Sequence, residues 1–415
     1  MFHASYSYSQ RVITLAEAEE LFKQRNSELI VSNQKGIIES DAAFEESKKF
    51  NNPEFSIDQV NLWSTSGQRE GEKEVIPPLF GNVGKNTEFS IGLSQEIRLG
   101  GKRNKKIKLE DKNRDVVRFE NLETTNDLLL SFKHEIFELN YAKEYAKILE
   151  KQKNVYDFII ANYKKQKELG YISSSELLRV QAEDMQILQE LNNVDKVINT
   201  NIKNIQSQLG CGNNEIADII VDGSEMRLDK NIDYLYNLSL ENPSLLKGQC
   251  EIETMQKNID YERSLSIPDV TVSATYDRAG GVWKDFVGFG VSFTLPVFNR
   301  NQAKIKAARR MHDLAEYNYG QQQIKVRNRI RSSYENYKTT LNFLKQLENE
   351  PTIINLDKLL DKYKDNVLKK NVSLLEFIDF METYKNSKNI LLETEKELYN
   401  QYCMLESVTG VKLKK

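Results

Sequence analysis

Apolar residues recur three and four apart at Leu129, Phe132, Ile136, Leu139, Ala142, Ala146 and Leu149, inside a stretch from Gly101 to Gly170 that contains no other Gly and no Pro. That spacing predicts a coiled-coil seam, and roughly 68 residues at 1.5 Å each make a rod of about 100 Å, longer than a compact domain accommodates. The seam resumes at Leu188, Leu191, Val194, Ile198, Ile202, Ile205 and Leu209, ending at Gly210. A long helix is therefore expected to turn at Gly170 and return.

The plan is written twice. GYISSSELLRVQAE at 170–183 aligns with KNVSLLEFIDFMET at 370–383, an offset that also matches Tyr163 with Tyr363, Ser173 with Ser373, Glu176 with Glu376 and Gly210 with Gly410. Ahead of the long helices, NPEFSI from Asn52 echoes IPDVTV from Ile267. Here the period changes to two, with apolar positions at Phe89, Ile91 and Leu93, at Val270, Val272 and Ala274, and at Phe289, Val291, Phe293, Leu295 and Val297, so two strands with one apolar face are expected in each repeat. The expected organisation is a tail over 1–13, a first repeat over 14–210 with strands about 52–63 and 86–99, and a linker forming a small mixed girdle over 211–237. A second repeat over 238–410 has strands about 268–276 and 286–298, with a tail over 411–415. Pro351 falls within the second long helix and is expected to break or kink it.

Composition narrows the function. With 58 Lys plus Arg against 61 Asp plus Glu and no long basic run, the electrostatic footprint of a nucleic-acid binder is missing. No stretch reaches the 18 apolar residues of a spanning helix, whereas a transmembrane β-barrel leaves almost no hydropathy signal. Three cysteines without a CxxC pair and three scattered histidines, His3, His134 and His312, suggest no metal site, no disulfide framework and no cofactor. No nucleophile–base–orienter set and no phosphate loop is present, so no catalytic residue is assigned and an enzyme is not expected. MFHASYSYSQ lacks a charged segment followed by an apolar one; an exported protein is expected here in its mature form with an added Met.

Four strands do not close a membrane barrel, whose smallest examples have about 8, and an open edge in lipid leaves unpaired backbone. Other copies must supply the rest: three would give twelve strands and, beneath them, twelve helical strands able to close into a second tube. At this point the residues carry a resemblance. The duplicated plan, QEIRLGGKRNKK at 95–106, FTLPVFNRNQAK at 293–304 and the G-x-x-S turn at Gly170 resemble the TolC family of outer-membrane channels from Thr14 to Gly410, with the Leu-Gly-Gly-Lys-Arg form at 99–103 similar to members serving cobalt-zinc-cadmium cation pumps. The resemblance implies a mainly helical α+β membrane protein with a duplicated helix–strand–strand–long helix–helix repeat. Its homotrimer would form a 12-stranded β-barrel in outer-membrane lipid on a 12-helix α-barrel in the periplasm, docked to an adaptor protein and an inner-membrane pump. The implied function is a passive efflux conduit for heavy-metal cations or drugs. The exit duct of a type I protein secretion system and, from a different class, a soluble coiled-coil scaffold remain open as alternatives.

Several residues acquire expected roles. By position, the resemblance puts Glu376 and Asp379, three apart on one helix face, at the periplasmic gate. The turns at Gly170, Ile172, Ser173 and Leu177 and at Asn371, Val372, Ser373 and Phe377 are expected to expose an apolar rim for the adaptor, with Asn371 the residue most tolerant of left-handed backbone beside Lys370. Trp63 and Trp283 are expected in the aromatic girdle of a membrane barrel. Gly100 and Gly101 permit a strand-to-helix redirection, and the basic group Lys102, Arg103, Lys105 and Lys106 is expected to reach lipid phosphates or solvent.

Overall fold

A computed structural model of the chain describes residues 11–61, 88–211, 216–228, 230–279 and 283–413. Contacts divide it into two units, one of Met1–Lys35, Phe119–Leu246 and Gln321–Lys415, the other of Gly36–Arg118 and Lys247–Gly320. The described elements run β1 (Arg11–Thr14), α1 (Leu15–Arg25), α2 (Ser27–Ser47), β2 (Glu54–Asn61), β3 (Glu88–Ile97), α3 (Lys102–Glu168), α4 (Ser174–Gln208), β4 (Ile216–Ile220), α5 (Ile232–Leu238), α6 (Pro243–Ser264), β5 (Val270–Ala279), β6 (Trp283–Phe293), α7 (Gln302–Asn349), α8 (Pro351–Leu368) and α9 (Leu374–Thr409). The order helix, two strands, long helix, returning helix occurs twice, and the fold is mainly helical.

In the first unit every position of the first seam, from Leu129 to Leu149, is buried. The second seam departs from its pattern: Leu188 is exposed and Ile187 takes the buried place beside Val180 and Leu177. Two apolar cores result. One gathers Tyr156, Ile159, Leu360, Phe377, Met381 and Tyr384 from α3, α8 and α9 with α4 alongside. The other stacks Phe22 on Phe132, ring centroids 4.5 Å apart, with Ile136, Ile205 and Leu209 around them. The expected N-terminal tail ends instead in a strand: β1 pairs in parallel with β4, Ile13 opposite Ile219, because Ile13, at 2% exposure, has a core to enter. Beside this core Lys133 is buried between Glu19 at 2.8 Å and Glu406 at 2.9 Å, and Lys412 reaches Glu19 at 2.5 Å. Burial pushes the Glu19 carboxyl up, but the two lysines outweigh it and hold it below the ordinary carboxylate range.

Pro351 acts as expected. Helix α7 stops at Asn349, Glu350 is extended with ψ 114°, and α8 starts with Pro351, whose missing N–H costs nothing at a first helical position.

The second unit holds an antiparallel sheet in the order β2-β3-β5-β6. β5 extends to Ala279 and β6 starts at Trp283 and stops at Phe293, so Leu295 and Val297 lie past the strand expected to contain them. Gly100 and Gly101, with φ of +69° and +68°, redirect the chain from β3 into α3. The basic group that follows is largely engaged rather than free. Lys102 is buried and 2.6 Å from Asp269, Arg103 lies over the Phe50 ring and donates to the Lys48 carbonyl, and Lys106 pairs with Glu110 at 2.5 Å. The junction uses these cations to fasten the helix start to neighbouring backbone and carboxylates.

Candidate functional site

Two places in the fold look outward with chemistry that the interior does not explain. The first is the sheet. Its register aligns Phe55, Leu93, Ala274 and Phe289 across all four strands, then Ile57, Ile91, Tyr276 and Val287, so these rows share one face. The other face carries rows of small or polar residues: Ser56, Gly92, Thr275 and Gly288, and beside them Ser94, Ser273 and Gly290. It is tightly packed, for a Cβ on Gly92 would lie 2.7 Å from Ser56 Oγ and one on Gly290 2.6 Å from Ser273 Oγ. On the apolar face Phe289 is 88% exposed, and Phe55, Ile57 and Val291 are more than half exposed. A row of open Phe, Ile and Val is costly in water and favourable in hydrocarbon. Strands of 8–11 residues match the length that crosses a bilayer at a tilt. Within the sheet β2 and β6 are the edges. No helix among the described residues is long and apolar enough to cross a membrane. Trp63 lies outside the described residues, and Trp283 is the first residue of β6.

The second place is the pair of helical turns in the first unit. Both close the same way. At the end of α3 the Tyr171 N–H donates to the Gln166 carbonyl at 2.9 Å, and at the end of α8 the Asn371 N–H donates to Asn366 at 3.0 Å, the six-residue closure that requires left-handed backbone at the residue between. Gly170 supplies it with φ +79°; in the second turn Lys370 does, with φ +60°. Asn371 does not, because the helix end fixes which residue must turn. Each returning helix then opens with a capping box. Ser173 Oγ accepts from the Glu176 N–H at 3.1 Å while the Glu176 carboxylate accepts from the Ser173 N–H at 2.8 Å, and Ser373 and Glu376 repeat this at 3.2 and 2.9 Å. The Ser373 N–H, and then its hydroxyl, hold the Glu376 carboxyl below its ordinary range. Lys370 Nζ joins the turns by donating to the Tyr171 carbonyl at 2.8 Å.

The expected apolar rim is only partly exposed. Ile172, Leu177 and Phe377 are buried, Phe377 completely and edge-on to Tyr156, because the two turns share one core. The open apolar groups at the turns are others: Leu169, Tyr171, Leu178 and Leu375, each 58–69% exposed. Leu169, Tyr171 and Leu178 adjoin the expected turn residues Gly170, Ile172 and Leu177, which is the signal the sequence offered for them; Leu375 has no such neighbour. Glu376 and Asp379 are both exposed.

Sequence reasoning also missed a polar node above the turns. The Asp357 carboxylate on α8 accepts from Lys151 of α3 at 2.6 Å and from Tyr384 and Lys388 of α9 at 2.8 and 2.9 Å. Partial burial pushes that carboxyl up, but the three donors prevail and hold it well below the usual range. Only the folded packing of three helices brings these four residues together.

Comparison with known proteins places this geometry. Residues 234–350 match the family model described as outer membrane efflux protein. A stretch of 86 residues is 34% identical to the cobalt-zinc-cadmium resistance protein CzcC of Cupriavidus metallidurans; it spans 20% of this chain and about a fifth, 21%, of that relative's length. The fold as a whole is similar to solved structures. CusC superposes with a TM-score of 0.76 at 16% identity over 98% of this chain and 96% of that one. The Campylobacter jejuni CmeC outer membrane channel gives 0.77 at 14% over 99% and 91%, and the outer membrane protein VceC of Vibrio cholerae 0.74 at 13% over 96% of each.

Proposed function

We propose that this chain, whose residues 234–350 match the outer membrane efflux protein family, is a member of that family and one subunit of a passive outer-membrane channel that carries substrate from periplasm to exterior without chemistry of its own. The observation that carries the reading is the sheet, whose one face is open Phe, Ile and Val and whose other is Ser, Thr and Gly. That is the wall of a membrane barrel: apolar to lipid, polar to a lumen, and small enough inside to curve. Unpaired edges on β2 and β6 cannot face lipid, so three copies join into a homotrimeric barrel of twelve strands, with twelve helical strands reaching into the periplasm. A soluble coiled-coil scaffold has no use for so apolar an exposed sheet.

The helical turns are the periplasmic end. Leu169, Tyr171, Leu178 and Leu375 offer apolar contacts to a periplasmic adaptor that links the channel to an inner-membrane pump, and Ser173 and Ser373 hold the turns in shape by capping. Glu376 and Asp379 form the gate, presenting six carboxylates in the trimer. Divalent heavy-metal cations are the substrate class favoured by the likeness to the cobalt-zinc-cadmium resistance protein, and an acidic mouth suits them.

Planar-bilayer recording of the purified protein tests both levels. We expect discrete conductance with cation selectivity and block by multivalent cations from the turn side. The pair Glu376→Gln and Asp379→Asn should weaken selectivity and block while retaining conductance, because Gln preserves the capping geometry. Absence of any conductance would overturn the channel reading; conductance with selectivity unmoved by the pair would overturn the gate alone.

A further inference from the structure

We infer that His312, Asp313 and Glu316 on α7 bind one divalent transition-metal cation of the Zn2+, Co2+ and Ni2+ class. The segment reads His-Asp-Leu-Ala-Glu, which sets an imidazole and a carboxylate four apart on one helix face with a second carboxylate beside them. His312 Nδ1 lies 4.0 Å from a Glu316 oxygen, and one ligand atom from each of the three residues falls within 4.8 Å of the others. Bonds of about 2.0–2.2 Å to a shared cation bring neighbouring ligand atoms to roughly 3–3.5 Å, so closure asks each to move by about 1 Å or less. The two carboxylate side chains, about 60% exposed, are free to make that movement, while His312, only 19% exposed, is held by its packing. Among the described residues no other group of three His, Cys, Asp or Glu side chains comes this close.

The donor set decides the metal. One imidazole nitrogen with two carboxylates suits Zn2+, Co2+ or Ni2+ better than Mg2+ or Ca2+, which prefer oxygen alone, and three protein ligands leave positions for water. The internal competitor is Arg310, 3.5 Å from Asp313 in a pair exposed on both sides, which contributes little and yields readily. The cluster is not inherited from the duplication. At the matching offset the first repeat has Lys112, Asn113 and Val116, and Lys112 is engaged with Glu253 at 2.9 Å. The inference stands on these side chains and does not require the transport reading.

The test is Co2+ titration of the full-length purified protein, stripped with chelator, followed by visible d–d absorption. We expect one Co2+ per chain. His312→Ala and the milder His312→Gln should abolish the band and weaken binding at least tenfold, and Glu316→Gln should weaken it less. Arg310→Ala should tighten binding several-fold by releasing Asp313, and His134→Ala should leave it unchanged, with circular dichroism verifying the fold of every variant. A spectrum that persists in both folded His312 variants, or one that disappears in His134→Ala, would overturn the assignment.

Discussion

Lys370 occupies a conformation that costs a residue with a Cβ roughly 1–2 kcal/mol, and it does so where the first repeat uses glycine. Lys370→Gly should therefore raise stability by about 0.5–1 kcal/mol, net of the hydrogen bond to Tyr171, measured as an upward shift in Tm. The repeated Ser173–Glu176 and Ser373–Glu376 spacing stands in the sequence, but that each Glu caps its own helix start is seen only in the structure. The left-handed residue was not legible: Asn371 has the better intrinsic tolerance, but the position of the turn is set by where α8 ends. Burial at the turns was illegible for a different reason, since Ile172, Leu177 and Phe377 are covered by helices distant in sequence. Asp357 shows the same dependence on packing. Its folded pKa lies below the unfolded value, so it stabilises the fold at pH above about 4, where the unfolded carboxyl is also ionised, and that contribution fades as pH falls toward the folded value. Asp357→Asn should lower Tm on the order of 2 °C near neutral pH, a modest effect for a half-exposed group, and the gap from wild type should narrow below pH about 4. A gap independent of pH would mean that the lysines are not what holds the carboxylate.

At the scale of elements, period alone identified the long α3 seam and the faces of the strands, because one buried stripe and one apolar face repeat without interruption. It missed β1, which is only four residues long and draws its stability from β4, more than two hundred positions away. It also began the α4 seam one residue off, on Leu188 rather than Ile187, where adjacent apolar residues make the face ambiguous, while the later positions from Leu191 to Leu209 lie on the packed face. At the turns, the exposed apolar groups are Leu169, Tyr171, Leu178 and Leu375 rather than the expected Ile172, Leu177 and Phe377. Leu169→Asp combined with Leu375→Asp should abolish adaptor cross-linking and lower efflux at least tenfold while channel assembly stays intact. Phe377→Ala, by contrast, removes a fully buried ring and should cost about 3–5 kcal/mol of stability. Efflux unchanged in the double Asp variant would remove the turns from the docking surface.

For the whole molecule, two facts carry the account: a sheet with one apolar face and one polar face, and two edge strands, β2 and β6, that have no further strand beside them among the described residues. The proposed symmetric closure would answer both, each copy's β6 meeting the next copy's β2 so that no edge remains. The most direct measurement is the mass of the detergent-solubilised particle by light scattering, with the detergent contribution subtracted. The account expects three times the 48.1 kDa chain; a monodisperse particle of a single chain, stable without detergent, would contradict it.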